Sequence, residues 1–165
     1  MKHQFMKPSR TTHGAVKDTH GIRLKSSASA GRAMPLDPMD IPLRLGELAK
    51  LQEGWLDGKG RPAKKEKLDW LADSFGAWFD TELPLPYLDP TAEGGVQAEW
   101  SLNDWEVSLE IDLESQQGAY QALHLIDSTC TESTFSLRNP EGWGRLNEAL
   151  RQLASRKVEE RPRGR

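Results

Sequence analysis

The stretch 96–114 constrains this chain more than any other. Val96, Ala98 and Trp100 alternate with Gln97, Glu99 and Ser101; further on, Trp105, Val107, Leu109, Ile111 and Leu113 alternate with Asp104, Glu106, Ser108, Glu110, Asp112 and Glu114. A helix would bring the apolar residues back every three or four positions. A strict period of two is the pattern of a strand with one side on a core and the other in water. The sequence therefore predicts an antiparallel hairpin, with its turn placed at Leu102 and Asn103. That register sets Trp100 opposite Trp105, Glu99 opposite Glu106 and Gln97 opposite Ser108.

The neighbouring segments extend this hairpin into a sheet. A third strand is expected at about 119–126, after Gln117 and Gly118, and a weaker fourth at about 130–137. Upstream, Ile41, Leu45, Leu48 and Leu51 recur at helical spacing and predict a short helix over 42–52. A second helix over about 62–79 places Leu68, Leu71, Phe75 and Trp78 on one stripe, with Pro62 in its first turn. Pro84, Pro86 and Pro90 make 83–90 extended, and should interrupt any ladder there. At the C-terminal side, Asn139 is an N-cap and Pro140 and Glu141 suit a first turn. Trp143, Leu146, Leu150 and Leu153 then form an apolar stripe, although Gly142 and Gly144 weaken its start. The expected fold class is α+β: an antiparallel meander of three to four strands over about 95–137, with two N-terminal helices and one C-terminal helix packed on one face.

Composition sets the domain limits. Only 36% of the 165 residues are hydrophobic and 28% are charged, so part of the chain is expected to stay unpacked. All six Trp lie between Trp55 and Trp143, and large aromatics dominate cores, which puts a single domain at 41–155. Residues 1–40 read as a disordered basic tail, and 156–165 as a second one. Met34 and Met39 offer later starts, with the residues before them as an over-extended frame. A basic transit peptide is the rival reading, but no amphipathic helix supports it.

The net charge of −3 hides a division. Residues 1–40 carry seven Lys/Arg against three Asp/Glu, and 151–165 six against two, whereas 41–150 carry nine against twenty. Within that middle, 68–137 hold fourteen Asp/Glu and no Lys or Arg. Such asymmetry bears on partners rather than on fold. The one cysteine, Cys130, rules out an internal disulfide scaffold and a cysteine-built zinc site. No apolar run approaches the roughly 20 residues of a membrane span, and none near the N-terminus resembles a secretory signal. The expected location is the cytoplasm, with no membrane association.

Candidate chemistry is sparse. The carboxylates Glu99, Glu106, Glu110 and Asp112 would line the solvent side of the predicted hairpin, extended by Glu114. They could dock a basic protein partner, or simply keep a solvated face soluble and unpaired. No metal is expected there, because side chains on a flat strand do not converge as a calcium loop does. Gly54, Gly58 and Gly60 lack the lysine and hydroxyl of a phosphate loop, so 54–60 reads as a tight connection with Trp55 folded back onto the core. His124 and Cys130 fall on neighbouring strands, with Ser108, Asp112 and Asp127 nearby in sequence. No nucleophile elbow or metal-binding His pair accompanies them, so no catalytic residue and no cofactor is assigned. The basic tails could meet phosphates, but they lack interleaved aromatics and the acidic middle would repel a polyanion, which makes nucleic acid an unfavoured partner.

Three motifs occur in order: Gly54-Trp55-Leu56-Asp57-Gly58, then Pro84-Leu85-Pro86, then Gly94-Gly95 followed by Glu99-Trp100, with Trp105 opening the next strand. In this the chain resembles a group of uncharacterised small bacterial proteins, some of them encoded near toxin–antitoxin modules. The likeness covers about 43–125. It implies an intracellular bacterial accessory protein, antitoxin-like in role, whose partner would be a toxin or nuclease, and it implies that Gly54, Trp55, Asp57, Gly58, Gly94, Gly95, Trp100 and Trp105 are structural. The chain departs from typical antitoxins in having no identifiable DNA-binding module. The leading expectation is a non-enzymatic interaction protein. The alternatives are a small hydrolase or ligand-binding domain, with a pocket beside Trp55 and the proline-rich segment, and nucleic-acid binding through the tails.

Overall fold

A computed structural model of the chain describes residues 41–155, so the expectations for both tails lie outside the described residues. Helices α1 (Ile41–Leu48) and α2 (Lys65–Trp78) precede five strands, β1 (Tyr87–Pro90), β2 (Val96–Leu102), β3 (Trp105–Asp112), β4 (Gln117–His124) and β5 (Cys130–Ser136). Helix α3 (Pro140–Ser155) follows. The fold is α+β, and the strands form one antiparallel meander in the order β1-β2-β3-β4-β5.

The sheet has five strands rather than three or four. Tyr87 to Pro90 pair with Glu99 to Val96, although a proline-rich segment was expected to break the ladder. Pro84 and Pro86 precede the strand, and Pro90 is its last residue on an outer edge, where a missing N–H costs no ladder bond.

The hairpin register also differs from the expectation. Leu102 lies opposite Trp105, so the turn is Asn103 and Asp104, not Leu102 and Asn103. Leu102 is buried, and a turn would have carried that side chain into water. Asn103 instead takes the left-handed conformation (φ 53), which asparagine tolerates better than leucine. Its Nδ2 donates to Leu153 O (2.8 Å), tying the turn to the end of α3. As a result Trp100 faces Val107, Glu99 faces Ser108 and Glu106 faces Ser101. Neither the Trp100/Trp105 pair nor the Glu99/Glu106 pair forms.

The face period is as expected. Val96, Ala98, Trp100 and Leu102 of β2 and Trp105, Val107, Leu109 and Ile111 of β3 are all buried on one side. With Tyr120, Ala122 and Phe135 they join the buried residues of all three helices in a single core. Trp143 of α3 is its centre. It is fully buried, meets Phe75 of α2 edge to face at 4.9 Å, and donates from Nε1 to Leu137 O (3.0 Å). The expected N-cap of α3 is present, since Asn139 Oδ1 accepts from Gly142 N (3.1 Å). Gly142 is there for contact: a Cβ on it would overlap Ser136 O. Asn147, also buried, donates to Trp78 O (2.8 Å) and accepts from Asp80 N (3.3 Å), which closes the C-terminal end of α2 with side-chain hydrogen bonds.

Two helix boundaries shift. α1 ends at Leu48 rather than at 52, and Leu51 packs on the core from the loop beyond it. α2 begins at Lys65, so Pro62 lies before the helix and not in its first turn, and Trp78 is only partly buried.

Candidate functional site

Among the described residues nothing covers the side of the sheet away from the helices, and pleating decides which residues it shows. Across the strands run Tyr87, Glu99, Ser108, Gln121 and Glu132 in one row, and Asp89, Gln97, Glu110, Ala119 and Thr134 in the next. Ser101, Glu106, Leu123 and Cys130 form a third row, and Asp112, Gln117 and Ser136 a fourth. The face thus carries Asp89, Glu99, Glu106, Glu110, Asp112 and Glu132, and no Lys or Arg occurs in any strand.

The register spaces these charges. Every carboxylate of β2 and β3 lies opposite a neutral residue, so the direct repulsion expected of a Glu99/Glu106 pair is absent. Neutral groups bond several of them. Gln97 Nε2 donates to Glu99 Oε1 (2.7 Å), Ser101 Oγ to Glu106 Oε1 (3.0 Å), and Gln121 Nε2 to Glu132 Oε1 (3.1 Å). Among the described residues, cations reach only the margins: Arg44 Nη2 meets Asp89 at 2.9 Å, and Lys64 and Lys67 meet Glu114 at 2.9 and 3.4 Å. Lys64 hydrogen-bonds Glu114 and holds its carboxyl below the usual range. Asp112 is also lowered, chiefly by the Ser115 backbone N–H and then by further bonds at the same turn. Hydrogen bonds to the ionised form favour it.

Two further features modify the face. The short Ala119 leaves a dip bordered by Glu110, Gln121, Glu132 and Thr134. Beyond Glu106 lie exposed apolar side chains, Leu123 at 39%, Leu125 at 55% and Ile126 at 71%. The sequence reading missed this apolar end, because Leu123, Leu125 and Ile126 look like continued strand core until a turn is known to intervene.

That turn accounts for His124 and Asp127. Ser128 N–H donates to His124 O and takes φ 60, while Asp127 Oδ1 accepts from Thr129 N (2.9 Å) and meets His124 Nδ1 at 2.8 Å. The Thr129 backbone N–H, with Thr129's side chain and His124 behind it, lowers Asp127 to about 2. The His124 ring packs against Trp105 at 4.7 Å on the helix side of the sheet, whereas Cys130 projects on the outer side opposite Leu123. Ser108 and Asp112 sit elsewhere on the outer face. The structure therefore brings Asp127 to His124 but keeps Cys130, Ser108 and Asp112 away from that pair, on the other side of the sheet. A cleft of about 520 Å³ opens between Arg61, Pro62 and the Glu110 to Glu114 segment, but Trp55, His124 and Cys130 do not line it. Among the described residues no group of three or more His, Cys, Asp or Glu could hold a metal ion, and no helix is long and apolar enough to cross a membrane.

The three motifs meet one another. Gly54, Asp57, Gly58 and Gly60 all have positive φ, and Gly54 N–H bonds Gly60 O (2.9 Å) to close the loop. Trp55 does not reach the core. It lies over Gly60, where a Cβ would come within 2.9 Å of its Nε1, and hydrogen-bonds Arg61 O (3.3 Å). Arg61 N–H then donates to Ala92 O (2.9 Å) in the turn of Gly94 and Gly95, and a Cβ on Gly95 would lie 2.6 Å from Ile111 O. Trp100 Nε1 donates to Pro84 O (2.9 Å), joining the proline segment to β2. The loop is thus tied to the glycine turn and the proline segment to β2, and Trp105 serves as wall for His124. No family model, curated protein or solved structure matches this chain.

Proposed function

We propose that the protein is a non-catalytic interaction module that captures a basic protein on the outer face of its sheet. The observation that carries this reading is one face with Asp89, Glu99, Glu106, Glu110, Asp112 and Glu132 and not one strand-borne cation. No described helix covers this face, so among the described residues its charges are open to a partner. Opposite charge at an interface speeds association and selects partners more than it adds affinity. The dip over Ala119 would take a lysine or arginine side chain between Glu110 and Glu132, and Leu123, Leu125 and Ile126 would supply the desolvated apolar contact that charge alone lacks. The motif likeness to proteins encoded near toxin–antitoxin modules suggests a basic toxin or nuclease as partner, and an antitoxin-like role in the bacterial cytoplasm.

The test is affinity capture from the source lysate at low ionic strength, with the triple variant Glu99→Gln, Glu106→Gln, Glu110→Gln alongside. The reading expects a basic protein that the native chain retains, that salt releases and that the variant loses. Equal retention by both sinks it.

A further inference from the structure

The two edges of the sheet are finished differently. At the β1 edge the ladder is four residues long. The Thr91 N–H bond to Gly95 O fixes its alternation, so the outward-pointing groups belong to Leu88 and Pro90. Leu88 O is taken by Arg44 Nε at 2.7 Å, and Pro90 has no N–H to offer. Half of the groups this edge could offer another strand are thus taken or missing.

Among the described residues the β5 edge is open. Leu137 N–H bonds Gln116 O (2.9 Å) and His124 N–H bonds Thr129 O (2.8 Å), so 129, 131, 133, 135 and 137 turn their backbone groups toward β4. The N–H and C=O groups of Cys130, Glu132, Thr134 and Ser136 therefore point off the sheet. Gly142 of α3 covers Ser136 O. Nothing among the described residues bonds the outward groups of Cys130, Glu132 and Thr134. The strand pairs with β4 without a bulge and carries no Lys, Arg or Pro, the usual devices that blunt an edge. Thr131 and Ser133 are exposed although they face the helix side. Beside them a groove runs along α3, past Gly144, Arg145, Glu148 and Gln152.

We propose that β5 pairs antiparallel with β5 of a second copy of this chain, about a two-fold axis through Ser133, so that the two sheets become one. This goes beyond the capture reading and does not depend on it. The strand is complementary to itself in that register. Its outward groups meet as hydrogen-bonded pairs of Glu132 with the copy's Thr134, twice over. Thr131 meets Phe135 on the helix side, and the Glu132 carboxylates avoid facing each other, as they would in the register centred on Glu132. The helix wall is complementary in charge as well: Arg145 stands between Glu141 and Glu148 on α3, so the axis sets a mixed-charge helix face against its own copy. The opposing force is repulsion between two acidic bodies, so moderate salt should tighten this dimer, whereas it should loosen the capture of a basic partner.

Light scattering with size exclusion on the full chain should report twice 18.5 kDa, falling toward one chain only on dilution. Thr134→Pro removes one outward N–H and leaves the β4 bonds intact, so it should give a monomer with unchanged circular dichroism. In a Cys130→Ser background, Ser133→Cys should cross-link the dimer when diamide oxidises the two thiols, because directly opposed non-hydrogen-bonded positions lie about 4.5 Å apart. Thr134→Cys in that background should not. A monomer at every concentration overturns the proposal, as does a dimer that survives in folded Thr134→Pro without cross-linking at 133. Should Thr134→Pro fail to fold, the two cysteine variants decide. The Gln triple variant should stay dimeric, so loss of capture and loss of pairing are told apart.

Discussion

The same strands present two faces governed by different physics. On the helix side, Val96, Ala98, Leu109 and Ile111 are fully buried, and each position is fixed by its neighbours' shape. On the other side Glu106 and Glu110 are exposed and Glu99 half-buried, and among the described residues the bonds to Glu99 and Glu106 come from neutral Gln97 and Ser101. Stability therefore resides in one face, and the freedom to recognise a partner in the other.

Substitutions can break or sharpen that contrast. The largest effect is expected at Trp143, where truncation to Ala empties the centre of the core and should cost about 3–5 kcal/mol in denaturant unfolding. Asn147→Ala should cost less, about 1–3 kcal/mol, because it leaves Trp78 O and Asp80 N without their partner in a part-buried site. At Asp127 the pH dependence of stability is confined to acid. Its folded carboxyl is lowered from 3.8 to about 2, so its contribution is complete above about pH 3.8 and lost as pH falls through about 2. Acid titration followed by tryptophan fluorescence, with Trp105 beside His124, should show the native chain losing stability over that window and Asp127→Asn showing no such step. The smallest effect is expected from Glu99→Gln, Glu106→Gln and Glu110→Gln together, which should leave the unfolding midpoint unchanged while abolishing capture. A large fall in midpoint would mean that the outer face is structural after all.

Much of this was legible in the sequence, and the failures have a common cause. The period of two identifies which side of β2 and β3 is buried, and Asn139, Pro140 and the stripe from Trp143 mark α3, because these signals are local. Register is not local. Moving the turn by one residue, from Leu102 and Asn103 to Asn103 and Asp104, leaves every side chain on its own face and changes only the partner across the ladder. Alternation is blind to that move, so the Glu99/Glu106 pairing was misplaced while the acidic face itself was not. The fifth strand was hidden because proline signals the loss of a ladder bond without saying whether a partner lay on that side. The candidate site was read in part: its carboxylates follow from alternation, but the dip over Ala119 and the apolar end at Leu123, Leu125 and Ile126 need the neighbouring strands in place.

Trp143 belongs to the last described element, yet it rests on Phe75 of the second helix. A ribosome will have made both early helices and every strand before the side chain that seals them arrives. Until then Phe75 has Phe79 beside it but lacks its edge-to-face partner, the core stays unsealed, and the nascent chain is at its most vulnerable to aggregation late in synthesis rather than early.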